Sequence, residues 1–166
     1  KSAFAEAEVI VEHAFEFGRQ AGVALETRSV IADFEPAGRR LTVYQSHQTP
    51  YQMQDVYARH LELAEHQVRV IAKDVGGAFG LKLHAYPDEM AAVAASVLLG
   101  RPVKYIVDRQ ESFVSDIHSR EMTANGRLAV TGQGVILGVE VDILSAIGAY
   151  SIYPRTSVGD GIQAVQ

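Results

Sequence analysis

The sequence predicts an α+β fold, with mixed sheets and two main helices. Two observations carry this expectation. Short β-prone runs and helical spacings are interspersed without the regular alternation of a doubly wound sheet. Two stretches, one after Pro50 and one after Pro87, repeat apolar residues at helical intervals behind a proline placed in the first turn.

Taken in order, Ala7-Glu8-Val9-Ile10-Val11-Glu12-His13-Ala14-Phe15-Glu16-Phe17 alternates as a strand with no lead-in. Residues 1–20 are expected to be a linker or strand arriving from a preceding domain, poorly ordered or paired with a neighbour. Val30 to Phe34 and Leu41 to Tyr44 form a hairpin across Glu35-Pro36-Ala37-Gly38-Arg39-Arg40, whose proline and glycine suit a tight connection. Thr49 is then placed as an N-cap for a helix in which Met53, Val56, Tyr57 and Leu61 share a face. Val68-Arg69-Val70-Ile71 is a strand, followed by the loop Val75-Gly76-Gly77-Ala78-Phe79-Gly80. The second helix runs from about Pro87 to Leu99 with Met90, Val93, Ala94, Val97 and Leu98 inward, and Gly100 and Pro102 stop it. Val103 to Val107 is another strand, and Glu111 to Arg120 reads as a solvated surface connection. Glu121 to Thr131 and Val135 to Ser145 are two long strands linked by Gly132-Gln133-Gly134. The main domain is expected at residues 21–150, with 151–166 a polar tail cut at an artificial boundary.

Composition narrows the function. The 166 residues are 48% hydrophobic, enough for a globular core. A net charge of -5 with scattered Lys and Arg offers no basic stripe, so nucleic acid is set aside as a partner. No apolar run approaches the ~18 residues of a membrane span, so no membrane partner is expected. The absence of cysteine excludes disulfides, thiolate zinc and iron–sulfur ligation within this segment.

The glycine loop is the main chemical signal, because glycines let backbone N–H groups approach a ligand closely. A dinucleotide fingerprint would need glycine where Val75 stands, and a phosphate loop would need lysine and a hydroxyl where Leu81 and Lys82 stand. Phe79 is wasteful in a plain turn unless its ring packs on a core or a ligand. The six histidines contain no i, i+4 pair, so no direct metal ligand is expected from the protein. Ser46 and His47, adjacent in a strand, point to opposite faces and make no nucleophilic pair. Gln48, an amide at a strand end before a proline-started helix, is well placed to give or accept hydrogen bonds. Asp108, Glu111 and Asp116 are read as local ion-pair partners of Arg109 and Arg120, and no carboxylate stands out as a general base.

Ser46-His47-Gln48-Thr49-Pro50, Asp74-Val75-Gly76-Gly77-Ala78-Phe79-Gly80-Leu81-Lys82, Gly100-Arg101-Pro102-Val103-Lys104 and Asp108-Arg109-Gln110-Glu111 form an ordered series. That series resembles the molybdopterin-binding large subunit of the xanthine dehydrogenase, aldehyde oxidase and carbon monoxide dehydrogenase family. Leu25-Glu26, His118-Ser119-Arg120-Glu121 and Gly148-Ala149-Tyr150 extend the likeness over nearly the whole chain.

The resemblance implies part of a molybdopterin-binding domain, in a fragment of a catalytic subunit that hydroxylates an aldehyde, N-heterocycle or small carbon substrate with oxygen from water. It implies Gln48 and Phe79 as catalytic residues, and Gln48, Gly77, Ala78, Phe79 and Gly80 as cofactor-binding ones. The implied cofactor is molybdenum-molybdopterin in its cytosine dinucleotide form, held by the parent and absent from this fragment alone. Partners are an iron–sulfur subunit or domain and an FAD subunit or domain, with a homo-oligomer also considered. The expected compartment is the cytoplasm, with the periplasm as the alternative. A terminal glutamate that serves the family as base falls beyond Gln166.

Departures are specific. The family loop commonly reads Gly-Gly-Gly-Phe-Gly-Gly-Lys, whereas Ala78 and Leu81 stand at two of those glycine positions. If position 78 required positive φ, alanine would cost ~1 kcal/mol. Leu83 stands where purine-oxidising members carry glutamate, which disfavours a purine. These departures keep open a second reading, a cofactor-free domain of the same fold with a binding or assembly role.

Overall fold

The computed structural model describes residues 2–148, so Ala149, Tyr150 and the tail lie outside the described residues. In chain order the elements are α1 (Ser2–Glu6), β1 (Val9–Phe17), β2 (Gln20–Ala21), β3 (Ser29–Glu35), β4 (Arg40–Gln45), α2 (Pro50–His60), β5 (Val68–Ile71), α3 (Pro87–Leu99), β6 (Val103–Ile106), α4 (Arg109–Ser115), β7 (His118–Ser119), β8 (Met122–Val130) and β9 (Ile136–Ser145). Short 3-10 turns occupy Glu65–Gln67 and Leu81–Leu83. The architecture is α+β with two main helices, as the sequence predicts.

The described residues divide into two compact units, Ala21–Ile117 and one that joins residues 2–20 with residues 118–148. β8 pairs with β1 along its whole length, from Val9↔Val130 to Phe17↔Met122. Backbone pairing therefore holds β1 in an antiparallel sheet of order β1-β8-β9, even though its side chains all remain exposed. The β8–β9 hairpin is the one expected from Gly132 and Gly134, with a register irregularity at Ala129/Val130.

The larger unit carries a four-stranded sheet of order β5-β4-β3-β6. β3 alternates strictly, sending Val30, Ala32 and Phe34 inward, and β4 does the same with Leu41 and Val43. These residues meet Met53, Val56 and Tyr57 of α2 and Val93 of α3, forming a core on one face of the sheet. Burying side chains of this size is worth roughly 1.5–3 kcal/mol each, which fixes both helices against the strands. β3 and β4 are antiparallel, as are β3 and β6. β4 and β5 are parallel, with Leu41↔Val68 through Tyr44↔Ile71, and α2 connects them. Their carboxyl ends therefore lie side by side, the arrangement that gathers ligand-binding loops in α/β units.

Several details differ from expectation. Thr49 sits at the N-cap of α2 without a side-chain cap bond, because its N–H and hydroxyl lie against His47 Nδ1 at 3.1 and 3.3 Å. In α3, Met90, Val93 and Val97 pack on the core as expected, but Leu98 is 86% exposed and the polar Glu89 and Ser96 are fully buried. Ser96 earns its place by bonding: it donates to Ala32 O at 3.1 Å and accepts from Phe34 N–H at 3.1 Å. Part of the presumed surface connection is helical, since Asp108 caps the Glu111 N–H at 2.8 Å while Glu111 accepts from the Asp108 N–H at 3.0 Å. This reciprocal capping box, rather than local ion pairing, accounts for both carboxylates.

Candidate functional site

Beyond the end of β4 the chain runs Ser46-His47-Gln48 before turning into α2, and beyond β5 it runs into the glycine loop. The two segments are joined directly, the Gln48 N–H donating to Lys82 O at 2.9 Å. Gln48 and the glycine loop, about thirty residues apart in sequence, thus meet on one end of the sheet. The Gln48 side chain is exposed.

Within the loop, Gly77 has φ +98 and Gly80 φ +86, both in the left-handed region that glycine adopts freely. The non-glycine residue at positive φ is Phe79, at +52, and its ring is 75% exposed. An aromatic held there costs roughly 1–2 kcal/mol, the kind of strain that collects at functional sites. Ala78 is not among the positive-φ residues, so glycine is not needed at that position to form this turn. Leu81 is likewise accommodated: it is buried at 4%, with its N–H on Ala78 O at 2.9 Å and its carbonyl taken by the Tyr86 hydroxyl at 2.8 Å.

The loop hangs on a cluster that the residue-by-residue reading left without a role. Glu26 Oε2 accepts from the Ser46 hydroxyl at 2.6 Å, the Gly76 N–H at 2.8 Å and the Lys82 ammonium at 2.8 Å. Lys82 is 1% exposed and also donates to Ser46 Oγ at 2.8 Å. Burial pushes the Glu26 carboxyl up, but the donors from Lys82, Ser46 and Gly76 outweigh it and hold the group at about 2. A cavity of about 210 Å³ bounded by Glu26, Ser46, Ile71 and Asp74 adjoins the cluster, although neither Gln48 nor Phe79 lines it.

His47 is not a base in waiting. Burial lowers its imidazole to about 4, and Nδ1 accepts the Thr49 N–H while Nε2 lies 3.3 Å from His84 O. Those partners define a neutral ring protonated at Nε2. Ser46 turns instead to Glu26, so the two residues make no nucleophilic pair.

A second buried network joins Arg28 and the end of β4 to the start of α3. Arg28, with no exposed surface, donates to both Asp88 oxygens at 2.9 and 2.8 Å and to Asp116 at 2.6 Å, with its guanidinium carbon 3.7 Å from the Tyr86 ring centroid. Asp116 is thus a partner of Arg28, not of the nearby arginines. Glu89 lies 3.5 Å from Arg28 and accepts from Gln45 at 2.9 Å, and Gln45 in turn accepts from the Tyr57 hydroxyl at 2.9 Å. Burial raises Glu89 to about 7 despite Arg28, whose shorter bonds go to Asp88 and Asp116. Sequence spacing hides these partners, which lie 60 and 88 residues from Arg28.

Among the described residues there is no group of three or more His, Asp or Glu side chains able to hold a metal ion, and no helix is long and apolar enough to cross a membrane.

The family described as molybdopterin cofactor-binding domain matches residues 1–165, and the chain belongs to it. Within that class, the chain is 36% identical over 147 residues to the carbon monoxide dehydrogenase large chain of Hydrogenophaga pseudoflava, covering 89% of this chain and 18% of that protein. It is 36% identical over 154 residues to the nicotine 6-hydroxylase large subunit of Paenarthrobacter nicotinovorans, covering 93% of this chain and 19% of that subunit. Its structure resembles quinoline 2-oxidoreductase from Pseudomonas putida 86, with a TM-score of 0.89 at 33% identity over 95% of this chain and 20% of that one. The chain spans about a fifth of the length of the curated relatives it matches.

Proposed function

We propose that this chain is the segment of a molybdenum hydroxylase large subunit that presents Gln48 and the Gly77–Gly80 loop to the cofactor. One observation carries the reading: the bond from Gln48 N–H to Lys82 O brings the two loops together past parallel strand ends. The residues present fit a bulky group. Gln48 and Phe79 face solvent, and a Cβ built on Gly80 meets nothing within 4 Å. A metal held by its own cofactor needs hydrogen-bond donors around it rather than protein ligands.

When bound, the molybdenum cofactor supplies a two-electron oxidation in which the inserted oxygen comes from water. Around it, the Gln48 amide would supply a hydrogen bond to the group, and Gly77, Ala78 and Gly80 would let backbone come close. Phe79 provides an aromatic wall that places substrate. The substrate is an aldehyde, an N-heterocycle or a small carbon compound rather than a purine, since Leu83 stands where a purine-binding glutamate would. By name the relatives include carbon monoxide, nicotine and quinoline enzymes and also a xanthine dehydrogenase subunit, so the exclusion of a purine rests on Leu83. We further propose the cytosine dinucleotide form of the cofactor, electron transfer to iron–sulfur and FAD partners, and a cytoplasmic location. Expressed without the rest of such a subunit, the 166 residues retain no cofactor, because a group of this size needs contacts from several separated segments.

The test is molybdenum content and turnover, measured together in the full-length protein. Gln48→Ala is expected to cost ~10 to 100-fold in turnover with metal retained. Phe79→Ala is expected to raise KM while leaving metal content intact. Full activity in Gln48→Ala contradicts the assignment, and a wild-type protein that binds no molybdenum favours a cofactor-free binding or assembly role.

A further inference from the structure

We infer that Glu26 and Lys82 are positioning residues, an ion pair with a buried lysine and a half-exposed glutamate that holds the glycine loop on the end of β4 and so fixes where Gln48 and Phe79 stand. The inference rests on the function proposed above for those two residues. It concerns atoms that the proposed chemistry does not use.

The geometry is a clamp. Glu26 grips Gly76 twice, its N–H donating to Gly76 O at 3.0 Å and its carboxylate accepting the Gly76 N–H at 2.8 Å. Approach is so close that a Cβ on Gly76 would lie 2.6 Å from Glu26 Cβ. Lys82 closes the other end of the loop, its ammonium on Glu26 and Ser46 and its carbonyl on the Gln48 N–H. Ser46 belongs to the segment that follows β4, so the three side chains tie together the start of the loop, its end and the neighbouring strand. The Glu26 segment is itself anchored, because Arg109 donates to Ala24 O and Leu25 O. Between the two tied ends stand Phe79 and Gly80, both in left-handed backbone. A loop released at Lys82 would relax toward ordinary φ at Phe79 and carry its ring, and the Gln48 backbone, away from their present places.

The burial of the pair is unequal, which makes a clean test available. Lys82 has a fully buried side chain, whereas that of Glu26 is 39% exposed. Lys82→Met keeps the apolar stem and frees Glu26 to turn to water, whereas Glu26→Gln strands a buried ammonium. Lys82→Met is therefore the primary variant. Glu26→Asp is the second, since it keeps the charge but is too short to reach the Gly76 N–H and Lys82 together.

Amide exchange in this chain, without cofactor, is expected to quicken about tenfold or more at Gly76 and Gln48 in both variants, with Val30 to Phe34 and Leu41 to Val43 unchanged. In the full-length enzyme kcat is expected to fall ~10 to 100-fold with KM moved less than about threefold and molybdenum content retained. Unchanged exchange at Gly76 and Gln48 overturns the inference, as does a fall in kcat that merely tracks the folded fraction. If exchange quickens as expected but the wild-type enzyme binds no molybdenum, the clamp stands and the proposed function fails. If the wild type is an active molybdenum enzyme and both variants match it in exchange and kcat, the clamp alone is wrong.

Discussion

Arg28→Met probes the buried ion-pair network of the larger unit. The guanidinium makes four hydrogen bonds, two to Asp88 and one each to Asp116 and Ser115, and lies on the Tyr86 ring. Methionine refills much of the stem, so the cost comes from stranded carboxylates rather than from a cavity. Removing one partner of a buried ion pair costs about 3–5 kcal/mol. Asp88, with 28% of its side chain exposed, can turn to water, whereas Asp116 at 7% cannot, which places the loss near the lower bound. A loss of about 3 kcal/mol is roughly a hundredfold or more in the unfolding equilibrium. The pH dependence has a definite sign. Burial pushes the Asp88 carboxyl up, but Arg28 outweighs it and holds the group below its ordinary 3.8. That contribution is present above 3.8 and is lost as pH falls through the lower folded value, so the gap between wild type and variant narrows on acidification. The chain has no tryptophan, so urea unfolding is followed by far-UV circular dichroism. A loss under about 1 kcal/mol at neutral pH, or a gap that widens in acid, would refute this reasoning.

Other perturbations address single contacts. Burial raises the Glu89 carboxyl to about 7 from 4.5, so the folded form holds its proton and stability declines as pH rises between those values. Glu89→Gln should flatten that segment of a Tm-against-pH curve, and an unaltered slope would count against a protonated Glu89. Gly76→Ala, which places a Cβ 2.6 Å from Glu26 Cβ, should cost about 1–3 kcal/mol in a thermal melt, and a wild-type Tm would contradict the close approach. Asp108→Ala should lose about 0.5–2 kcal/mol by uncapping α4, with Asp108→Ser largely restoring it. If serine fails to restore stability, the side chain acts otherwise than as a cap.

What the sequence made legible was local. Pro50 and Pro87 start their helices where expected and Gly100, at φ +60, stops α3, because these residues act through their own backbone. The β3–β4 hairpin and the β8–β9 hairpin follow from alternation bounded by glycine. The parallel pairing of β4 with β5 agrees with the requirement that Gln48 and the glycine loop converge. Met90, Val93 and Val97 of α3 pack on the core as their spacing indicates, whereas Leu98 does not, and Glu89 and Ser96 are buried by bonds to distant partners, which outweigh their polarity. α4 is polar throughout its first turn, yet the Asp108-to-Glu111 spacing is a capping signature that could have revealed it. Glu26 and Lys82 stood within matched motifs, but only tertiary structure brings residues 56 apart into one cluster.

The most direct test of the central claim is the position of molybdenum in a crystal of the full-length protein, located by anomalous scattering at the metal's absorption edge. One peak is expected past the carboxyl ends of β4 and β5, facing the Gln48 amide, with Phe79 at its border. A metal peak on any other part of the molecule, with Gln48 and Phe79 both turned to bulk solvent, would contradict it.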